Sequence, residues 1–356
     1  MHVGICAFKS PMYVDACRSY DEASIDALRK TMELSPTNMH VLSNLVMAEN
    51  RVCDWSMRKK HIKQLRKALR DFAARKENFA PPFHAFEFGY GPKEILVNAK
   101  YLARRIWNDA TTERERIGKV IKKKGIPEIG KDGRLSIAYV NGAGFHNGTT
   151  TARCLQSMFG MHDRERFKVH CMPMSGDDKS PERAKIRDGC DEWIEGANFT
   201  GADVADTLSN MRPHILVDTT GYTMKQRTEV LALEAAPIVV SFHGFPGTMA
   251  ATFVHYLTAD RLTTPPEHQG YYTEKLVILP NTYLINDHRQ SRREVLGEGG
   301  MKPSRKELGF SYGDIVLASF NQLYKIDPAI FEAWMTILKE VPKAKVCSHS
   351  RRATTM

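Results

Sequence analysis

No run of this sequence approaches the roughly 18 to 20 consecutive apolar residues that a membrane helix requires, so a helical membrane span is not expected. Met1 to Tyr20 has no long apolar core, and a secretory signal is not expected either. Cysteine is scarce, with seven residues scattered without Cys-x-x-Cys or metal-like spacing. An odd, sparse set reads as reduced thiols in a protein of the cytoplasm, the nucleus or both. No nucleic-acid-binding signature is present, although the formal charge is +10 and the pI about 9.2. That balance favours anionic partners in general. The excess is partly local, in Arg58 to Lys76 and in Lys122-Lys123-Lys124, where the plain reading is a solvated helix face.

What is present is ordinary for a soluble globular chain, with 42% hydrophobic and 26% charged residues, and 356 residues leave room for two or three domains. From Tyr20, a stripe of Ala23, Ala27, Leu28, Met32 and Leu34 predicts a helix that Ser35-Pro36-Thr37-Asn38 ends. A second helix carries Val41, Leu42, Leu45 and Val46. Helix, Pro-containing turn and helix is the layout of a tetratricopeptide unit, and also of a plain helical hairpin. After Val52-Cys53-Asp54-Trp55, the spacing of Ile62, Leu65, Leu69 and Phe72 predicts an amphipathic helix. Another helix is predicted from about Pro92 to Asn108, then a basic linker broken by Gly125, Pro127 and Gly130.

At Arg134 the period changes. Leu135 to Val140, Phe167 to Met172, His214 to Asp218, Ile238 to Phe242 and Leu276 to Pro280 predict strands. Helices are predicted at Thr149 to Met161 and at Ala202 to Asn210. Strands alternating with helices imply an α/β protein whose parallel sheet is covered on both faces. A polar, Gly-rich break at Ser291 to Pro303 precedes a new unit that starts at Ile315. The organisation read from this is terminal tetratricopeptide-like helices over 1–50 and a helical linker or cap over 51–133. A Rossmann-like first lobe follows over 134–290, then the start of a second lobe over 304–356.

The most specific wording is Phe320-Asn321-Gln322-Leu323-Tyr324-Lys325-Ile326-Asp327-Pro328. It lies between the apolar run Ile315 to Ala318 and an amphipathic helix from Pro328 to Lys339. That places a polar loop at a helix N-terminus, where phosphates bind in α/β proteins. Gln322 and Lys325 can offer an amide and an ammonium to one anion. This stretch resembles the nucleotide-binding loop of the protein O-GlcNAc transferases, and the chain is similar to that family from about Tyr20 to about Lys345. Val52 to Trp55, Gly221-Tyr222-Thr223, Ala236-Pro237-Ile238, Gly244-Phe245-Pro246-Gly247-Thr248 and Tyr272 to Leu276 follow in the family's order.

The resemblance implies a GT-B-like fold and an inverting transfer of N-acetylglucosamine from UDP to protein Ser and Thr hydroxyls. A glycosyltransferase must neutralise the departing diphosphate. The sequence contains no Asp-x-Asp pair to hold a divalent metal. Fixed cations, backbone amides and a helix N-terminus are the other solution, so no metal or further cofactor is expected. The resemblance assigns Gln322 and Lys325 to the donor, with Gly244, Pro246, Gly247 and Thr248 beside its sugar. Gly244 and Gly247 lack a Cβ and let backbone approach a ligand, and the same letters also read as a tight turn. Tyr222, Thr223 and Arg227, near Glu229, fall beside the acceptor peptide. His146 is placed to act as acid, base or hydrogen-bond partner, Asp178 is placed to take a proton from the acceptor, and Arg183 fits a basic position. His84 reads more readily as a packed histidine.

The sequence departs from the family in three places. His243 stands at a usually apolar position, Gly144-Phe145-His146-Asn147-Gly148-Thr149 replaces the usual first-lobe loop, and Pro181 replaces an amide residue. The tail Cys347 to Met356 is not expected to continue a buried strand, which implies a C-terminally truncated second lobe and a chain that is incomplete and possibly inactive. Two other readings stand beside the enzyme, a related GDP-fucose-dependent protein O-fucosyltransferase and a non-catalytic protein-binding fragment. Expected partners are a nucleotide sugar and protein acceptors, with self-association possible through the helical repeats, and neither nucleic acid nor membrane.

Overall fold

The computed structural model describes residues 11–75, 80–117, 126–130, 132–296 and 303–348. The Lys122-Lys123-Lys124 cluster, Gly125, residues 297–302 of the Gly-rich break and the tail from His349 lie outside them. Five helices come first, α1 (Pro11–Leu34), α2 (Met39–Arg51), α3 (Arg58–Arg75), the one-turn α4 (Pro82–Ala85) and α5 (Pro92–Ile117). Then follow β1 (Leu135–Asn141), α6 (Thr150–Leu155), β2 (Phe167–Pro173), α7 (Pro181–Asp188), β3 (Glu192–Trp193), α8 (Gly201–Met211) and β4 (Ile215–Asp218). The chain continues with β5 (Ile238–Ser241), β6 (Tyr256–Asp260), β7 (Lys275–Leu279) and the short α9 (His288–Ser291) and α10 (Arg293–Leu296). It closes with β8 (Ile315–Ser319), α11 (Pro328–Glu340) and β9 (Ala344–Ser348). These form two compact units. One joins Met1–Ala80, His84–Tyr90 and Met301–Met356; the other joins Pro81–Phe83 and Gly91–Gly300.

The second unit is built on a seven-stranded sheet ordered β3-β2-β1-β4-β5-β6-β7, every pair of it parallel. Alternate residues of β1 go to opposite faces and both sets are interior. Ala138 and Val140 join α5, α8 and the Val230–Ala232 turn, while Ile137 and Tyr139 join Phe145, Leu155 of α6 and Ile186 of α7. Burial on both faces is why these strands read as continuous apolar runs. Leu155, Phe159, Leu208 and Leu216 are fully interior, each stabilising the fold by about 2 kcal/mol or more. Chain order reverses between β1 and β4, which makes the carboxyl ends of these strands the switch point where open α/β sheets bind ligands.

Several sequence expectations are corrected here. β3 and β6 are additional strands, and α7 is an additional helix. The helix expected from Thr149 to Met161 stops at Leu155 and resumes as one 3-10 turn at Phe159–Met161. Gly189 comes against Phe159 and Gly160 there, so the chain turns to pack rather than to continue. Not every cysteine is a free thiol, because Cys171 and Cys190 form a disulfide.

In the first unit α1 and α2 form a helical hairpin, and Asn38 caps α2 by accepting the Val41 amide at 3.2 Å. The buried stripe of α1 is shifted from the expected one. Ile25 is the interior residue, with Leu28 and Met32 beside it, while Leu34 is 82% exposed. Ile62, Leu65 and Leu69 of α3 are buried as the period predicts, and Lys59, Lys60, Lys63 and Lys67 face water. Buried Glu49 accepts from Arg29 at 3.1 Å and pairs with His61 at 3.0 Å. Arg58 donates to Asn50 at 2.7 Å and to the Glu87 carbonyl at 2.9 Å. Trp55 packs on Phe331 at 5.6 Å between ring centroids. β8 and β9 pair in parallel through Ser319 and Ser348. Val346 and Cys347 are buried, so the strand continues past the point where the sequence was expected to abandon it. Small Cys347 fits the interior side and Ser348 completes the pairing.

Candidate functional site

The loops after β1, β2, β4 and β5 meet at the carboxyl edge of the sheet. After β1, the Asn141 carboxamide donates to Thr219 at 2.9 Å and accepts the Phe145 amide at 3.0 Å. The Gly142 amide donates to the Thr220 hydroxyl at 2.8 Å. These polar groups are buried, so their mutual bonding is what permits them there. Phe145 holds a left-handed backbone, φ 57°, and its fully interior ring leaves His146 at the loop's surface.

His146 is half-buried, and its Nε2 donates to the Gly176 carbonyl after β2. When the ring is neutral, that bond leaves Nδ1 with the lone pair. Asp178 stands beside it. One carboxylate oxygen accepts the Asn147 amide at 2.8 Å, the other the Ser180 hydroxyl at 2.8 Å and amide at 3.1 Å. Burial pushes this carboxyl up, but the Ser180 hydroxyl, the Asn147 and Ser180 amides and the nearby His146 outweigh it and hold it below the ordinary aspartate value. Asp178 therefore joins the β1 and β2 loops as an anion. Arg183 clamps the same loops from below. Its buried guanidinium donates to the Gly144 carbonyl, pairs with Glu195 at 2.7 Å and Asp177 at 3.1 Å, and lies over Trp193 at 5.2 Å. Pro181 takes the first position of α7 behind the Ser180 cap, where a missing N–H costs nothing.

The β4 and β5 loops interlock. A Cβ on Gly244 would stand 2.2 Å from the Thr219 carbonyl oxygen. The space that Gly244 opens is thus filled by the protein's own backbone, as the tight-turn reading of this glycine requires. Gly221, at φ +57°, would meet Phe245 at 2.2 Å. Tyr222 is interior, donating to the Met249 carbonyl at 2.8 Å and edging onto Phe245 at 5.5 Å. It braces the loops rather than offering its face to a peptide. Thr223 donates to the Thr220 carbonyl at 2.8 Å, and Arg227 pairs with Glu229 at 2.5 Å and with the Phe199 carbonyl at 3.2 Å. Met224, 83% exposed, stands at the tip between them. Thr248 is buried and donates to Glu274 at 2.6 Å. Of the Gly-Phe-Pro-Gly-Thr run, Pro246 is the exposed member.

Three residues that sequence reasoning gave no role hold the β4 and β5 loops. Glu274 is buried and accepts from Thr248 and from the Met249 and Ala250 amides; its one signal was a carboxylate flanked by Thr273 and Lys275. His243, flagged only as a departure from the family, is buried in a left-handed conformation, φ 67°. Its Nε2 donates to the Ile285 carbonyl at 3.1 Å, and burial lowers its pKa, keeping it neutral. Asp218 is fully buried, its two oxygens accepting the Thr220 and Gly221 amides at 2.9 Å each. Burial pushes its pKa up to about 6 against the pull of those amides. A raised carboxyl pKa means that stability is greatest below about pH 4 and is lost as pH rises through about 6. Relative to Asp218→Asn, the protein should lose about 3 kcal/mol between pH 4 and 7. Urea unfolding of both proteins across that range measures it, and parallel curves would contradict it.

In the first unit, β8 leads into one 3-10 turn, Leu323–Lys325, and then into α11. Asp327 caps that helix, accepting the Ile330 amide at 2.9 Å. Gln322 makes no cap bond, so its amide is not occupied there. Lys325 is exposed, while Ile326 behind it is buried and anchors the loop. His84, in the same unit, pairs with Glu87 at 2.7 Å, a packed histidine. The structure thus gathers His146 with Asp178, and Tyr222, Gly244 and Thr248 with one another, in the second unit. Gln322 and Lys325 stand together in the first. Among the described residues no helix is long and apolar enough to cross a membrane.

A parallel sheet with a switch point, and a second strand-loop-helix unit whose loop carries a cation, define a GT-B-like α/β protein. The model of Glycosyl transferase family 41 matches residues 52–300 and 298–348, and the chain belongs to that family. It is 33% identical over 301 residues to the Arabidopsis thaliana protein named probable UDP-N-acetylglucosamine–peptide N-acetylglucosaminyltransferase SEC, covering 82% of this chain and 30% of that one. It is 36% identical over 163 residues to the Caenorhabditis elegans UDP-N-acetylglucosamine–peptide N-acetylglucosaminyltransferase, covering 46% of this chain and 14% of that one. The structure of a mutant Thermobaculum terrenum O-GlcNAc transferase superposes with a TM-score of 0.66 at 21% identity, over 92% of this chain and 59% of that one. This last likeness is one of fold. The chain therefore spans less than a third of the length of these two sequence relatives.

Proposed function

We propose that this protein serves the transfer of N-acetylglucosamine from UDP to Ser and Thr hydroxyls of proteins, with inversion and without a metal. The observation that carries this reading is the Gln322–Lys325 turn, an uncapped amide and an exposed ammonium directly ahead of a capped helix N-terminus. Family membership and the names of the relatives support it. In the reaction the acceptor oxygen attacks the anomeric carbon as the bond to the β-phosphate oxygen breaks. Negative charge then gathers on the departing diphosphate. Lys325 neutralises it, and Gln322 orients it. Within the second unit, the base of this reading is His146, whose Nδ1 carries the lone pair when the ring is neutral, and Asp178 holds its loop.

Thr223 and Arg227 are the acceptor-side residues in this reading, with Tyr222 bracing them. Tetratricopeptide-type stacking of the α1–α2 hairpin would supply self-association, because a single hairpin cannot bury both its faces. The compartment we propose is the cytoplasm or nucleus, where the Cys171–Cys190 pair would meet a reducing pool. The test offers an acceptor peptide with UDP-N-acetylglucosamine or GDP-fucose to the purified protein and reads the peptide mass. Hexosamine addition from the UDP sugar alone is expected. Fucose addition would overturn the donor, and no addition by the folded protein would overturn the activity.

A further inference from the structure

The second unit has a cavity of about 770 Å³ that the reading above does not use. Its lining includes Ile238, Tyr256 and Lys275, which are the first residues of the adjacent parallel strands β5, β6 and β7. It therefore opens at the amino edge of the sheet, while the Thr219–Tyr222 and Gly244–Phe245 turns stand at the carboxyl edge. Its other wall is one face of α5, where Lys100, Arg104 and Trp107 follow at helical spacing.

The chemistry of this lining is one-sided. Lys100, Arg104 and Lys275 are cations and no carboxylate lines the cavity. Among the described residues none of the three has an ion pair or side-chain hydrogen bond. Three like charges around one concavity repel one another; Glu274, between the lining residues Thr273 and Lys275, is buried and its carboxylate is taken by Thr248 and the Met249 and Ala250 amides. Between them the surface is apolar and flat. Trp107 lies stacked on Phe253, 5.9 Å between centroids and 11° between planes, and Ile238 leaves 37% of its surface uncovered. His255 adds a donor, because its Nδ1 accepts the Val239 amide at 2.9 Å and so leaves the proton on Nε2. The volume is that of a small-molecule site.

We propose that this cavity is a binding site for a small organic anion that joins a multiply charged acidic group to a planar or apolar body. Lys100, Arg104 and Lys275 hold the acid, and the Trp107–Ile238 surface holds the body. An aryl phosphate and an aryl polycarboxylate share this chemistry. Because the cavity lies at the amino edge, its ligand does not compete with UDP.

The probe is 1-anilinonaphthalene-8-sulfonate, followed by fluorescence on the folded protein at low salt. Saturable binding at one site is expected, unaffected by UDP and weakening as salt is raised. The double charge reversal Lys100→Glu/Arg104→Glu should weaken it by roughly tenfold or more. Lys275→Gln, a milder surface change, should weaken it by roughly threefold and guards against a misfolded double variant. Displacement by phenyl phosphate alone would assign phosphates, and displacement by benzene-1,3,5-tricarboxylate alone would assign carboxylates; either supports the site. The proposal is overturned if both variants bind the dye as the parent does, if 2-naphthalenemethanol displaces it and neither anion does, or if the folded protein binds none.

Discussion

Replacing Lys325 with alanine is expected to lower transfer by at least about 100-fold, roughly 3 kcal/mol of transition-state stabilisation. The side chain is exposed, so fold stability should stay within about 0.5 kcal/mol, and the loss is one of chemistry. Ile326 and the Asp327 cap keep the loop in place when the ammonium is removed. The change should appear in kcat as well as in kcat/KM, because charge on the diphosphate is larger in the transition state than in the bound donor. Gln322→Ala should act mainly on donor KM. Steady-state kinetics with a peptide acceptor check both, and a Lys325→Ala protein with parental kcat would remove the assignment.

Gly244→Ala carries the largest expected effect on the fold. The new methyl group would lie 2.2 Å from the Thr219 carbonyl oxygen and 2.8 Å from the Thr220 Cα. Both obstacles are backbone, held by the Asp218 carboxyl and the Asn141 carboxamide, so neither can rotate away. Overpacking of this kind costs about 3 kcal/mol, which for a unit of this size lowers the melting temperature by about 6–12 °C. Gly270→Ala is the control, since nothing lies within 4 Å of its added Cβ, and its expected shift is under about 0.5 kcal/mol. Calorimetric scans of the three proteins decide it, and equal melting for Gly244→Ala and Gly270→Ala would contradict the interlocked-loop account.

The parts of this fold that sequence made legible are those with long apolar runs. β1, β2, β4 and β5 are such runs, since both faces of these parallel strands are interior, and β7 is an apolar run at the sheet's edge that leaves Val277 and Ile278 exposed. β6 was not, because Thr258 and Asp260 interrupt Tyr256–Asp260, and β3 has only two residues. α7 carries Ala184 and Ile186 as its apolar side chains, too few to show a period, and is held instead by the Ser180 cap and buried Arg183. In α1 the stripe was placed through Leu34 because periodicity alone does not say which of two apolar faces meets a partner. The site was legible where its residues act through exposed side chains in a distinctive loop, as at Gln322 and Lys325. It was not legible where residues act by holding backbone. Asp218 bonds the Thr220 and Gly221 amides of its own loop, and no spacing in the sequence connects Glu274 to the Met249 amide it accepts. Gly244 and Thr248 were legible as loop residues, but their contacts with the Thr219 backbone and the Glu274 carboxylate were not.

The central claim is that UDP is recognised by fixed protein groups, Lys325 foremost. Calorimetric titration of the purified protein with UDP, in EDTA and again in excess magnesium, tests it most directly. Saturable binding with the same affinity in both buffers is the predicted result. Binding that EDTA abolishes, or no binding by protein with intact near-ultraviolet circular dichroism, would contradict it.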